Sequence, residues 1–168
     1  MVPSGWKTRT IDFGRGPRKA ITIPWGDVST AWHSTGIPDI EVYMAASPGF
    51  RLFSRGSRWL GGLLRSGWVR KLLRQQVLAA PRGPSEEERR RGRAYVWGEA
   101  EDDQGRRVVS RLVTPEGYSL TARAALAAVE GVLGGRAASG FQTPSSAFGA
   151  DFVLDLEGVS REDEVPAA

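Results

Sequence analysis

The sequence predicts an α+β domain, a mixed and largely antiparallel sheet flanked by helices. Short segments alternate polar and apolar residues with a period of two, as half-buried strands do. The helical segments stand in mixed order with these strands and do not alternate strand by strand, which argues against a parallel doubly wound sheet. The composition is that of an ordinary globular chain: 168 residues, 40% hydrophobic and 25% charged. The 21 glycines and 10 prolines show no collagen-like period, so they imply many turns between short elements.

Thr8-Arg9-Thr10-Ile11-Asp12-Phe13 and Lys19-Ala20-Ile21-Thr22-Ile23 read as two strands of a hairpin around the turn Gly14-Arg15-Gly16-Pro17-Arg18. Pro24 ends the second, having no N–H to donate to a ladder. Asp27 is placed to cap a short helix over 28–35, stopped by Gly36, and Ile40-Glu41-Val42-Tyr43-Met44 alternates as a third strand. Residues 50–79 read as helical. Phe53, Leu60, Leu63, Leu64 and Trp68 share one side, whereas Val69, Leu72, Leu73 and Val77 centre on the opposite side. A kink at Ser66-Gly67 would reconcile the two faces.

Ser85, followed by three glutamates, marks a further helix start. Residues 93–100 and 106–113 form a hairpin around Asp102-Asp103-Gln104-Gly105. Ser119 is expected to cap an alanine-rich helix over 120–133, ended by Gly134-Gly135. The tail holds a Thr143-Pro144-Ser145 turn, the apolar run Phe152-Val153-Leu154 and an acidic end.

Composition removes several function classes. Without cysteine there is no disulfide framework and no thiolate metal site, and a single histidine excludes any centre that needs two imidazoles. No run of 18 apolar residues exists to span a bilayer. The first residues show no apolar signal segment, so a cytoplasmic location is expected. Residues 1–80 hold twelve Lys/Arg against four Asp/Glu, whereas 81–168 hold eleven against fifteen. The basic half suits an anion or an acidic partner as readily as it suits solvated helix faces.

His33 is the only side chain that ordinarily titrates near neutrality, which makes it the one acid–base candidate, with Ser29 one turn away. A serine hydrolase would also need an orienting carboxylate and an oxyanion hole, and Asp27 lies on another face of the same helix. Asp12, Asp27, Asp39 and Glu41 follow no metal-loop spacing, so no metal site is assigned. Glu99, Glu101, Asp102 and Asp103 crowd a hairpin tip and are expected to be relieved by water. Arg65, Arg70, Lys71 and Arg74 interleave with Trp59, Trp68 and leucines. That pattern suits a core or partner interface first, a membrane surface second and nucleic acid least. A non-enzymatic binding or membrane-peripheral module built on 50–79 is the alternative reading.

Three blocks carry a more specific signal. They are Ile11-Asp-Phe-Gly-Arg-Gly-Pro-Arg18 with Thr22–Ala31 and Ser34–Tyr43; Arg91–Glu99 with Thr114–Ala122; and Gly140-Phe-Gln-Thr-Pro-Ser145 with Phe148-Gly-Ala-Asp-Phe152. Together these resemble the C-terminal part of the bacterial saccharopine dehydrogenase-like oxidoreductases, which include trans-acting enoyl reductases. The resemblance implies an α+β substrate and dimerisation domain over 1–115. It implies a helix and tail over 116–168 that return to a nucleotide-binding domain. It also implies NADP or NAD as cofactor and a homodimer, or a separate nucleotide-binding domain, as partner. The glycine fingerprint of such a domain is missing: Gly14-x-Gly16 has Lys19 in the third place and precedes a strand. This chain is therefore expected to be inactive alone. No catalytic residue is carried over beyond the candidate His33. Trp25, Asp27, Ser34, Thr35 and Tyr43 are expected to line the substrate cleft, and Thr143 to contact the cofactor domain.

Overall fold

The computed structural model describes residues 6–46 and 83–164, with residues 67–69, 71, 74 and 75 between them. The two-faced helices expected over 50–79, and the basic Trp/Leu surface built on them, lie largely outside the described residues.

The first hairpin pairs β1 (Thr8–Asp12) with β2 (Pro17–Thr22) in antiparallel register, Thr10 opposite Lys19. Its turn is built as the sequence requires. The Asp12 carboxylate accepts the Gly14 N–H at 2.8 Å, and Gly14 and Gly16 take φ of 91° and 81°, where a side chain would be strained. The third strand, β3 (Tyr43–Ala45), joins the other side of β2 with Met44 opposite Ile21. As the central strand, β2 buries the successive residues Ala20 and Ile21, which point to opposite faces.

Between β2 and β3 lies α1 (Asp27–Thr35), closed by Gly36 in the left-handed conformation at φ 71°. The expected Asp27 cap is corrected: the helix begins one residue earlier, with Gly26 as N-cap and no side-chain cap. Gly26 already has helical φ and ψ, and its carbonyl accepts the Thr30 N–H, so Asp27 is the first helical residue. Its carboxylate still occupies the positive end of the helix.

The second half opens with α2 (Glu86–Arg91), where Ser85 and Glu88 form a reciprocal capping box. There follows the hairpin of β4 (Arg93–Glu101) and β5 (Arg107–Pro115), then α3 (Gly117–Leu133), α4 (Pro144–Phe148), a 3-10 turn (Phe152–Asp155) and β6 (Ser160–Glu164). Two expectations change here. The cap of α3 is Glu116, whose carboxylate accepts the N–H groups of Tyr118 and Ser119; Ser119 is inside the helix. The turn at Thr143 is the start of α4, with Thr143 and Ser146 capping each other. β6 extends antiparallel to β5, Arg111 opposite Glu162, so the β4–β5–β6 sheet has β5 at its centre.

The fold is thus α+β, with all described strand pairs antiparallel and grouped in two three-stranded sheets. The sheets meet where β1 and the turn that follows it contact the β4–β5 hairpin. Arg9 lies 4.9 Å from the Trp97 ring centre and donates twice to Glu99, at 2.7 and 2.9 Å. Arg15 covers Tyr95 at 5.3 Å, and Arg111 Nε donates to the Asp12 carbonyl at 2.9 Å. These contacts correct the expectation of a tip relieved by water alone. Glu99, its side chain 11% exposed, is held between Arg9 and Arg107, and Asp102 pairs with Arg106.

The core is small. Among the described residues, seven apolar side chains are buried: Ile11, Ala20, Ile21, Ile23, Val109, Pro115 and Leu156. α3 turns its small residues inward. Ala124, Ala127, Ala128 and Gly131 lie on its covered side, with the Phe148 ring directly against Gly131. The larger Tyr118, Leu126, Val129, Val132 and Leu133 are exposed on the opposite side. Among the described residues, no helix is long and apolar enough to cross a membrane.

Candidate functional site: a hydroxyl-lined cleft

A cleft of about 600 Å³ opens between α1 and the segment 141–153. α1 contributes Asp27, Thr30, Ser34 and Thr35 from one side, because residues three and four apart share a helical face. The start of α4 contributes Thr143 and Ser145, while Phe141, Phe152 and Val153 supply apolar wall. The capping geometry of α4 aims these hydroxyls. Once Thr143 accepts the Ser146 N–H, at 3.2 Å, its side chain is fixed toward α1.

The two walls meet in a network of hydroxyl groups. Ser34 Oγ lies 2.7 Å from Thr143 Oγ1, and Ser145 Oγ donates to Ser34 Oγ at 3.1 Å. Thr143 is only 6% exposed, so its hydroxyl would be costly to leave without a partner, and the network satisfies it. Ser34 itself donates to the Thr30 carbonyl at 2.9 Å. A carbonyl can only accept, so the Ser34 proton is committed to the backbone. Among the described residues no general base draws on it, so nothing there activates Ser34 as a nucleophile.

The residues expected to line a cleft divide into two groups. Asp27, Ser34 and Thr35 line it together with Thr143. Trp25 is 57% exposed and lies outside the lining residues. Tyr43 is on β3, where its hydroxyl donates to Glu41 at 2.7 Å and its phenol is pushed up to about 12 by burial and by that carboxylate. His33 packs between aromatic rings, 4.9 Å from Trp32 and 5.0 Å from Phe141, and makes no hydrogen bond with Ser29 among the described residues. It buttresses the cleft wall through Phe141. Sequence reasoning missed Thr30, Phe141, Ser145 and Phe152. The available signal was the Thr-x-x-Ser capping pattern at 143–146, which was read as a plain turn.

A dinucleotide does not fit the described residues. Such a cofactor is held where a glycine-rich turn links a strand to a helix inside a parallel unit. Here every described strand pair is antiparallel, and the Gly14-x-Gly16 turn joins two strands of a hairpin. No protein-family model, no curated protein and no solved structure matches this chain.

Proposed function

We propose that this chain is the substrate-binding portion of an NAD(P)-dependent oxidoreductase of the saccharopine dehydrogenase-like type, with the cofactor held by another domain. The observation that carries this reading is the cleft. It is concave, mostly apolar and supplied with a few convergent hydroxyls, as small-molecule sites are, and among the described residues it has no activated nucleophile and no acid–base pair. Binding without chemistry is the division of labour expected where a cofactor carries the reaction and the protein positions the substrate.

The outer face of α3 supports the same reading. Tyr118, Ala122, Ala125, Leu126, Val129, Val132 and Leu133 form one exposed apolar stripe. On that stripe we place the docking of the cofactor domain, since contiguous apolar surface of this kind marks an interface. The blocks of sequence that resemble the family include the first turns of α3 and the segment that follows it.

Two measurements test the proposal. Fluorescence titration of the chain with NADPH is expected to show no binding; tight binding would overturn the assignment of the cofactor to another domain. Mixing the chain with a separately produced nucleotide-binding domain of a saccharopine dehydrogenase-like oxidoreductase is expected to give a complex on size-exclusion chromatography. Leu126→Glu with Leu133→Glu should abolish that complex. Absence of a complex with the unaltered chain would count against the family assignment.

A further inference from the structure

The hydrogen-bond directions inside the cleft say what kind of ligand it can take. Four hydroxyl or amide donors of the lining are spent on backbone carbonyls, which only accept. Thr30 donates to the Asp27 carbonyl at 3.2 Å and Ser34 to Thr30 at 2.9 Å. Thr35 donates to Ala31 at 2.8 Å, and the Gln142 amide to Ala138 at 2.7 Å. A fifth donor, Ser145, is spent on Ser34. The Thr143 proton has the Ser34 and Ser146 oxygens as acceptors, at 2.7 and 3.1 Å. Apart from the second N–H of the Gln142 amide, what the side chains leave facing the space is mainly oxygen lone pairs, because each hydroxyl uses its proton elsewhere. The one charged side chain among the described lining residues is the carboxylate of Asp27; His33 stands behind Phe141 and outside the lining.

We propose that this cleft selects an apolar ligand bearing a hydrogen-bond donor, an alcohol or an amine, and disfavours carboxylates, phosphates and ligands that can only accept. This rests on reading the cleft as the substrate site. Acceptor atoms of a ligand would meet acceptors of the protein, leaving both unpaired. Desolvating such groups without a partner is more costly than the loss of an ordinary hydrogen bond. An anion would face the Asp27 charge in addition. A ligand hydroxyl meets the opposite situation: Ser34 already receives the Thr143 and Ser145 protons, and the remaining lone pairs of Thr143 and Ser145 are available to receive it. Phe141, Phe152 and Val153 would receive its hydrocarbon part.

The test uses three probes of matched size: 1-octanol, its isomer heptyl methyl ether, which has no donor, and octanoate. Binding is read by NMR titration of the Thr143 and Ser145 amides in the full chain at neutral pH. The expected result is that 1-octanol binds at least about tenfold more tightly than either of the others, the factor one lost buried hydrogen bond supplies. Asp27→Asn should strengthen octanoate binding by a few fold and leave 1-octanol unchanged. Thr143→Val and, on the more exposed rim, Ser145→Ala should each weaken 1-octanol toward the level of the ether. The second variant guards against misfolding of the first. Equal affinity for alcohol, ether and carboxylate would overturn the donor selectivity while leaving the cleft a binding site. Absence of any shift at Thr143 and Ser145 with all three probes would overturn the site itself.

Discussion

Tyr43 and Glu41 form a pair whose charge states depend on each other. Burial and the neighbouring carboxylate push the Tyr43 phenol up to about 12, and hydrogen bonds from Lys7 and Tyr43 hold Glu41 below the usual carboxylate range. A raised phenol contributes stability that is complete below its unfolded value, near 10, and is lost as pH climbs through the folded one. A depressed carboxylate does the opposite: its contribution is present above the unfolded value and disappears as pH falls through the folded one. Tyr43→Phe should therefore flatten the alkaline limb of a Tm-against-pH curve between about pH 10 and 12. Glu41→Gln should flatten the acid limb as well, below the ordinary glutamate value of about 4.5. Parallel curves for the wild type and Tyr43→Phe would show that the hydroxyl is equally free in both states. Neither group belongs to the cleft, although Tyr43 reads as a site residue from its place in a dense polar and aromatic block. That density came from a strand edge where a phenol, a carboxylate and the Lys7 ammonium satisfy one another.

At the level of elements, α3 and α4 are locked by a close approach that only glycine allows. A Cβ on Gly131 would lie 2.5 Å from the Phe148 ring, which is itself packed on Phe152 at 5.1 Å and covered by Arg136. Gly131→Ala gains up to about 1 kcal/mol in helix propensity but forces the ring to shift, at about 1–3 kcal/mol. A net loss of stability is expected in urea denaturation, together with displacement of the α4 hydroxyls. Gly117→Ala is the control: nothing lies within 4 Å of its added Cβ, so it should be neutral or slightly stabilising. If Gly131→Ala proved as benign as Gly117→Ala, the Phe148 contact would not be what positions α4. These elements also show which features local sequence can and cannot encode. Ser85 is readable as a cap because the hydroxyl and the three glutamates after it lie within four residues, and the structure adds the reciprocal bond from Glu88. β6 is not readable, because Ser160-Arg-Glu-Asp-Glu164 has no apolar alternation. It is an exposed edge strand, paired to β5 by its backbone and by Ser110–Asp163 and Arg111–Glu164 contacts. The start of α3 was misplaced for a related reason, since Glu116 and Ser119 are both competent caps and only the backbone geometry chooses.

Over the whole molecule, what the sequence withheld is long-range. Asp27, Ser34 and Thr35 were legible as a group because one helix carries them, but Thr143 lies 109 positions beyond Ser34 and no local pattern joins the two. The same holds for the union of the two sheets. It depends on Arg9 reaching Glu99 across 90 positions and on Arg111 reaching the Asp12 carbonyl across 99. With few buried apolar side chains on either sheet, these polar contacts should carry an unusual share of the coupling between the halves. Glu99 is the sharper test, since it receives both Arg9 and Arg107 while its side chain is 11% exposed. Its two arginines remain partly solvated, so the expected cost of Glu99→Gln is about 1–2 kcal/mol and not that of a fully buried pair. Native-state hydrogen exchange should show where that energy acts. Amides of β1 and β2 are expected to exchange about tenfold faster in Glu99→Gln, whereas those central to the β4–β5 hairpin change little, because their ladder is intact. Equal acceleration in both sheets would mean that the chain unfolds as one unit and that Glu99 stabilises the whole. No change in either would mean that Arg9 is held by Trp97 alone.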